Sequence, residues 1–198
     1  IPEIPIYVDS PMATNATSIF QIHPECYDEE THKAFLKHHK NPFGFNSLRF
    51  TQSVEESKHL NELEGPMIII SADGMCEAGR IVHHLYNNIE DPNTTILLVG
   101  FMAENTLGRR LQNGEEEVKV IGEWKKVRAK IEQINAFSAH ADYQETLDWL
   151  KEIDTSRLKK IFLVHGEKAA QKNLTKVLNE NGYNDVEVIS YGRTYILD

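Results

Sequence analysis

Short runs of β-branched and other apolar residues recur along the chain. They are separated by longer stretches in which apolar positions return every three or four residues. Residues 4–8, 67–70, 96–99 and 161–164 have the length and composition of strands. Between them Ile81, Val82, Leu85 and Ile89 fall on one helical stripe, and Leu174, Val177 and Leu178 mark a helix closed by Asn181-Gly182. Asp142, with Glu145 three residues on, has the form of a capping box, and Leu147, Leu150 and Ile153 continue at helical spacing, predicting a helix over 143–152. Strands alternating with helices specify α/β layering. Residues 117–134 read differently: Val118, Val120, Val127, Ala129 and Ile131 alternate with charged residues about a turn at 122–126, the pattern of a half-exposed hairpin. Residues 186–189 and 193–197 predict a terminal β-ribbon, and 38–42 an exposed loop. The change of character near 114–116 predicts a domain boundary, with 1–115 and 116–198 on its two sides.

With 40% hydrophobic and 26% charged residues among 198, the composition is that of a globular protein and excludes disordered and collagen-like classes. No apolar run approaches the roughly 18 to 20 residues of a membrane helix, so no membrane partner is expected. Cys26 and Cys76 stand far apart without a CxxC, which excludes a disulfide framework and points to a reducing, cytoplasmic setting. A net charge of -9 argues against a non-specific coat for a polyanion, and leaves room for a locally basic groove built from Arg80, Arg109, Arg110, Lys125, Lys126 and Arg128. The start Ile-Pro-Glu-Ile-Pro, with neither methionine nor leader pattern, predicts a fragment.

Five predicted strands are followed at once by small, polar or ionisable residues: Asp9-Ser10, Ser71 to Gly74, Gly100, Ser138 to His140, and His165 to Glu167. In open α/β sheets ligands bind in the crevice outside the carboxyl ends of the strands. The loop through Ser71, Gly74 and Arg80 suits a phosphate, with backbone N–H groups and a guanidinium fork; it equally suits an ordinary turn, with Asp73 as cap and Arg80 paired to an acidic neighbour. His140 and His165 sit in tight loops of small residues, either sharing one cleft or serving as surface caps. Asp142 reads as a helix cap, Cys76 as a packing residue, and His83-His84 as one exposed and one buried histidine. There is no HxHxDH, HExxH or GxSxG run, so the chain does not complete a three-ligand metal site from its own motifs.

The blocks Ile-Tyr-Val-Asp-Ser-Pro-Met-Ala (6–13), Ile-Ser-Ala-Asp-Gly-Met-Cys-Glu-Ala-Gly-Arg-Ile-Val-His-His-Leu (70–85), Asn-Thr-Leu-Gly-Arg-Arg-Leu (105–111), Phe-Ser-Ala-His-Ala-Asp (137–142) and Phe-Leu-Val-His-Gly-Glu (162–167) resemble, in order, the β-CASP branch of the metallo-β-lactamase superfamily. That resemblance implies an RNA-processing nuclease acting on single-stranded RNA with two zinc ions. It implies a Rossmann-like parallel-sheet β-CASP domain followed by the C-terminal part of a metallo-β-lactamase αβ/βα sandwich. His140 matches the motif B histidine, a general acid toward the leaving oxygen, and His165 the motif C zinc ligand. Asp9, Ser10, Ser71, Gly74, Arg80 and Ser138 match positions lining the substrate groove or the domain interface, while Arg109 and Arg110 belong to a family signature without an assigned role. The family's remaining metal ligands belong upstream of Ile1, so the resemblance implies a C-terminal half that is inactive without an N-terminal half as its partner. Such a half-sandwich alone is expected to dimerise, swap or aggregate. A non-catalytic α/β module binding RNA or a phosphorylated ligand is the alternative from another class, and hydrolysis of a small ester an alternative within the superfamily.

Overall fold

The computed structural model describes residues 3–38, 47–138 and 140–196, so most of the expected loop at 38–42 lies outside the described residues. The chain divides into two compact units, Ile1–Ser138 and Ala139–Asp198. Both are mixed α/β with parallel strand pairs.

In the first unit β1 (Ile6–Asp9) is the centre of a parallel sheet of order β2-β1-β3, flanked by β2 (Leu48–Phe50) and β3 (Ile68–Ser71). Register pairs Val8 with both Phe50 and Ile70, which brings the carboxyl ends of all three strands together. Helix α1 (Pro11–Ile22) starts directly after β1, because Ser10 caps it and Pro11 supplies its first turn without a needed N–H. Helix α2 (Glu29–His38) precedes β2. Helix α3 (Val54–Leu60) opens on a full capping box between Ser53 and Glu56.

Helix α4 (Ile81–Asn88) carries the predicted stripe, and the core gathers on it: Leu85 and Ile89 pack with Cys76, Leu98, Met102, Leu107, Leu111, Val118 and Val120. Around this core run β4 (Thr95–Leu98), α5 (Leu107–Gln112), β5 (Glu117–Val120), β6 (Glu123–Lys126) and β7 (Lys130–Gln133). The hairpin is narrower than its alternation predicts. β5 and β6 pair antiparallel about Ile121-Gly122, whereas β7 leaves them and pairs parallel with β4. Val127 N closes the hairpin on Glu116 O at 2.8 Å, and then Arg128 N and Ala129 N both donate to Ile89 O at 3.0 Å. The open carbonyl at the end of α4 thus redirects the chain to β4.

In the second unit α6 (Tyr143–Glu152) spans the predicted residues and opens on the Asp142–Glu145 capping box. Strands β8 (Ile161–Leu163) and β9 (Val186–Val188) flank α7 (Lys168–Glu180), and Leu147, Leu150 and Leu178 form their core. The expected terminal ribbon is not seen among the described residues. β9 pairs parallel with β8, Ile161 beside Val186, and residues 193–196 have no strand structure because Arg193 N donates to Ser190 O within a turn. No helix of the described residues is long and apolar enough to cross a membrane.

Candidate functional site

Three parallel strands deliver their ends to one buried carboxylate. Asp9, the last residue of β1, is 0% exposed. Ser57 Oγ donates to it at 2.6 Å, Arg80 at 2.6 Å, and His84 Nε2 lies at 2.7 Å. Thr51 Oγ1, just past β2, donates to it as well. Burial alone would push this carboxyl up, but the four hydrogen bonds from Ser57, Thr51, His84 and Arg80 together outweigh it and hold the group below the usual carboxylate range. On its far side the His84 ring meets Asn61 Oδ1 at 3.0 Å, and Asn88 donates to the same oxygen at 3.3 Å. Ser71 Oγ donates to Asp9 O at 3.0 Å, tying β3 to β1.

Arg80 is engaged inside this cluster. Besides Asp9, its guanidinium donates to Thr51 O at 3.3 Å and Gln52 O at 2.8 Å. Asp73 accepts from Glu77 N at 3.3 Å and Ala78 N at 3.2 Å. The 71–80 loop is therefore built as a self-capped turn whose arginine pairs with an acidic neighbour. Gly79 closes it at φ +74, where a Cβ would stand 2.5 Å from Ala72 O. Gly79→Ala is expected to lower the unfolding free energy by more than about 1 kcal/mol, measured by urea denaturation. Gly74 carries no such demand, since a Cβ there meets nothing within 4 Å.

The same loop reaches α5. Leu107 N donates to Glu77 Oε1, and Gly108 N to Met75 O at 3.0 Å, so the 70–85 and 105–111 blocks form one local structure. A side chain at Gly108 would run into Met102 Sδ and Met75 O. Arg109 Nε donates to Met102 O at 2.7 Å, and its guanidinium lies over the Phe101 ring. Cys76 is buried between them; burial first, then the Asp73 and Glu77 carboxylates, push its thiol up to about 11. That is the chemistry of a packing residue.

Ser10 is spent as the α1 cap, accepting from Ala13 N at 3.3 Å. Ser138 is exposed and follows β7. His140 and His165 are both exposed, before α6 and after β8. His165 holds φ 66 ahead of Gly166 at φ 109, and its carbonyl accepts from Gln171 Nε2 at 3.2 Å. Sequence reading missed Thr51, Ser57, Asn61 and the role of Glu77. His84 alone left a signal, as a polar residue beside Leu85 on an otherwise apolar stripe.

A family model described as the Beta-Casp domain matches residues 1–111, more than half of the chain. The chain belongs to the Beta-Casp family. A second model, described as the Zn-dependent metallo-hydrolase RNA specificity domain, matches residues 124–189, so the Beta-Casp part carries Asp9 and Arg80 and the second carries His140 and His165. The chain is 34% identical over 192 residues to a ribonuclease of Thermus thermophilus, covering 97% of this chain and 43% of that protein. It is 29% identical over 175 residues to transcription termination factor FttA of Methanosarcina mazei, covering 86% of this chain and 27% of that protein. To FttA of Pyrococcus horikoshii it is 32% identical over 170 residues, with 83% and 26% covered. This Beta-Casp chain thus spans less than half the length of these relatives. Among the described residues no three His, Cys, Asp or Glu side chains gather so as to hold a metal ion. The described residues of this chain therefore do not by themselves complete a site for the family's zinc.

Proposed function

We propose that this chain is the C-terminal half of a zinc-dependent nuclease that processes or degrades single-stranded RNA by phosphodiester hydrolysis, competent only when an N-terminal half completes it. In this reading His140 protonates the leaving oxygen, His165 is the chain's contribution to a two-zinc centre, and the division between the β-CASP part and the closing segment of the hydrolase domain falls near residue 115. The observation that carries it is the backbone of His165. A non-glycine residue in the left-handed region is uncommon and costs free energy. Cys76, Asn105 and Ile121 share this conformation, but of the four His165 alone follows a parallel strand end within the segment matched by an RNA-specificity domain of zinc hydrolases. Asp9 and Arg80, committed to each other, set the strand ends and the 71–80 loop rather than the reacting atoms; Ser71, Gly74 and Ser138 are left at the groove.

Zinc content and RNase activity, measured side by side on this chain and on a full-length protein containing it, test the reading. About two zinc ions and cleavage are expected in the longer protein only. No metal and no cleavage in either would overturn it in favour of a non-catalytic binding module.

A further inference from the structure

The β5–β6 hairpin has two unlike faces. Val118 and Val120 point inward and are 0% and 1% exposed. Their cross-strand partners Lys125 and Glu123 lie on the same side. Both are engaged with the body of the unit: Lys125 Nζ sits 4.0 Å from the Tyr86 ring centroid and 3.6 Å from Glu90, while Tyr86 OH donates to Glu123 at 2.7 Å. The outer face carries Lys119 directly across from Trp124 and Glu117 across from Lys126. Trp124 is 67% exposed, and among the described residues no ring contact or cation–π pair involves it. Nor does any ion pair among the described residues take up the Lys119 or Lys126 ammonium group. Lys125 and Lys130 are already paired with Glu90 and Glu132, which leaves Lys119 and Lys126 as the basic groups of the outer face, against Glu117, in a chain of net charge -9.

We propose that this outer face is a binding patch for single-stranded RNA, built from residues other than the two histidines of the chemistry, with one base stacked on Trp124 and the flanking phosphates met by Lys119 and Lys126. It rests on the reading that RNA is the substrate. An exposed indole with one lysine across from it and another two residues along the same face matches the stacking platform and charged track of single-strand binders. A protein hot spot instead surrounds its aromatic anchor with contacts that exclude water, and the register here puts Lys119, Lys126 and Glu117 on the face of Trp124. The patch reads no sequence, because every base offers a π face. Glu117 opposite Lys126 tempers the charge and favours an exchangeable contact.

The test uses the 198-residue chain with Trp149→Phe, which leaves Trp124 as its sole tryptophan. A single-stranded oligouridylate is expected to quench the indole fluorescence. Trp124→Ala, melting like the parent, weakens binding measured by fluorescence anisotropy about tenfold, and Trp124→Phe restores most of it. Lys119→Gln with Lys126→Gln makes the dependence of log affinity on log salt shallower by about 1.4. Undiminished binding by Trp124→Ala with an unquenched indole overturns the patch and leaves RNA binding elsewhere on the chain standing. No binding by the parent chain overturns the patch, while cleavage by the longer protein then decides the RNA reading separately. Equal quenching by polyglutamate overturns it in favour of an acidic partner.

Discussion

In a full-length protein containing this region, His140→Ala is expected to cut turnover by about 10² to 10⁴ and leave bound zinc unchanged, whereas His165→Ala loses zinc together with activity. The first figure is the usual worth of a positioned general acid. The separation of the two effects follows from what each histidine does in the proposed function: one gives a proton, the other holds metal. Neither substitution should unfold the chain. His140 is exposed, and the helix that starts three residues beyond it is held by the Asp142 capping box, with Glu145 N donating to Asp142 at 2.8 Å. His165 is also exposed, and alanine there still has to adopt φ 66, so a small loss of stability accompanies its variant. Metal analysis and single-turnover cleavage on the same preparations check both. Equal zinc content in the two variants would contradict the assigned roles.

Asp9→Ala should be the most destabilising single change in the first unit. It leaves a half-buried Arg80 and a buried His84 around a missing carboxylate; their side chains are 16% and 6% exposed. Breaking a buried pair from one side costs about 3–5 kcal/mol, against the 0 to 1 kcal/mol of a surface ion pair. Chemical denaturation reads this directly. Asp9→Asn separates charge from volume. Because the folded carboxyl is held below its ordinary 3.8, the stability it contributes is full above pH 3.8 and is lost as pH falls through the lower folded value. The melting difference between Asp9→Asn and the parent is therefore expected to close in acid, and a difference constant down to pH 3 would contradict it. Arg80→Ala should likewise lower the melting temperature and leave the salt dependence of RNA binding unchanged. A shallower salt slope would show that the guanidinium also meets a phosphate.

Asp9 and Arg80 show how the same residues read differently at the two levels. Both were legible as strand-end and loop residues of the expected crevice, and an arginine beside a glycine turn has the look of an anion clamp. Their mutual bond spans 71 positions of sequence, and Thr51, Ser57 and His84 reach Asp9 from 42, 48 and 75 positions away. No local pattern records such a closure.

Local chemistry was enough for the α6 capping box, the apolar stripe of α4 with its buried and exposed histidines, and the strands expected at 4–8 and 67–70, which run one residue further, to Asp9 and Ser71. Caps, periodicity and glycine turns act within a few residues, so the chain specifies them wherever it lies. The parallel pairing of β7 with β4 and of β9 with β8 was decided by the tertiary structure. Alternation shows that a strand has two faces, but its partner is chosen by distant carbonyls such as Ile89 O and by which apolar core lies within reach. The outward Trp124 belongs to the same class: its sequence pattern marks a strand residue, and only the pairing of β5 with β6 decides that Lys119 stands across from it and that Val118 and Val120 take the buried side.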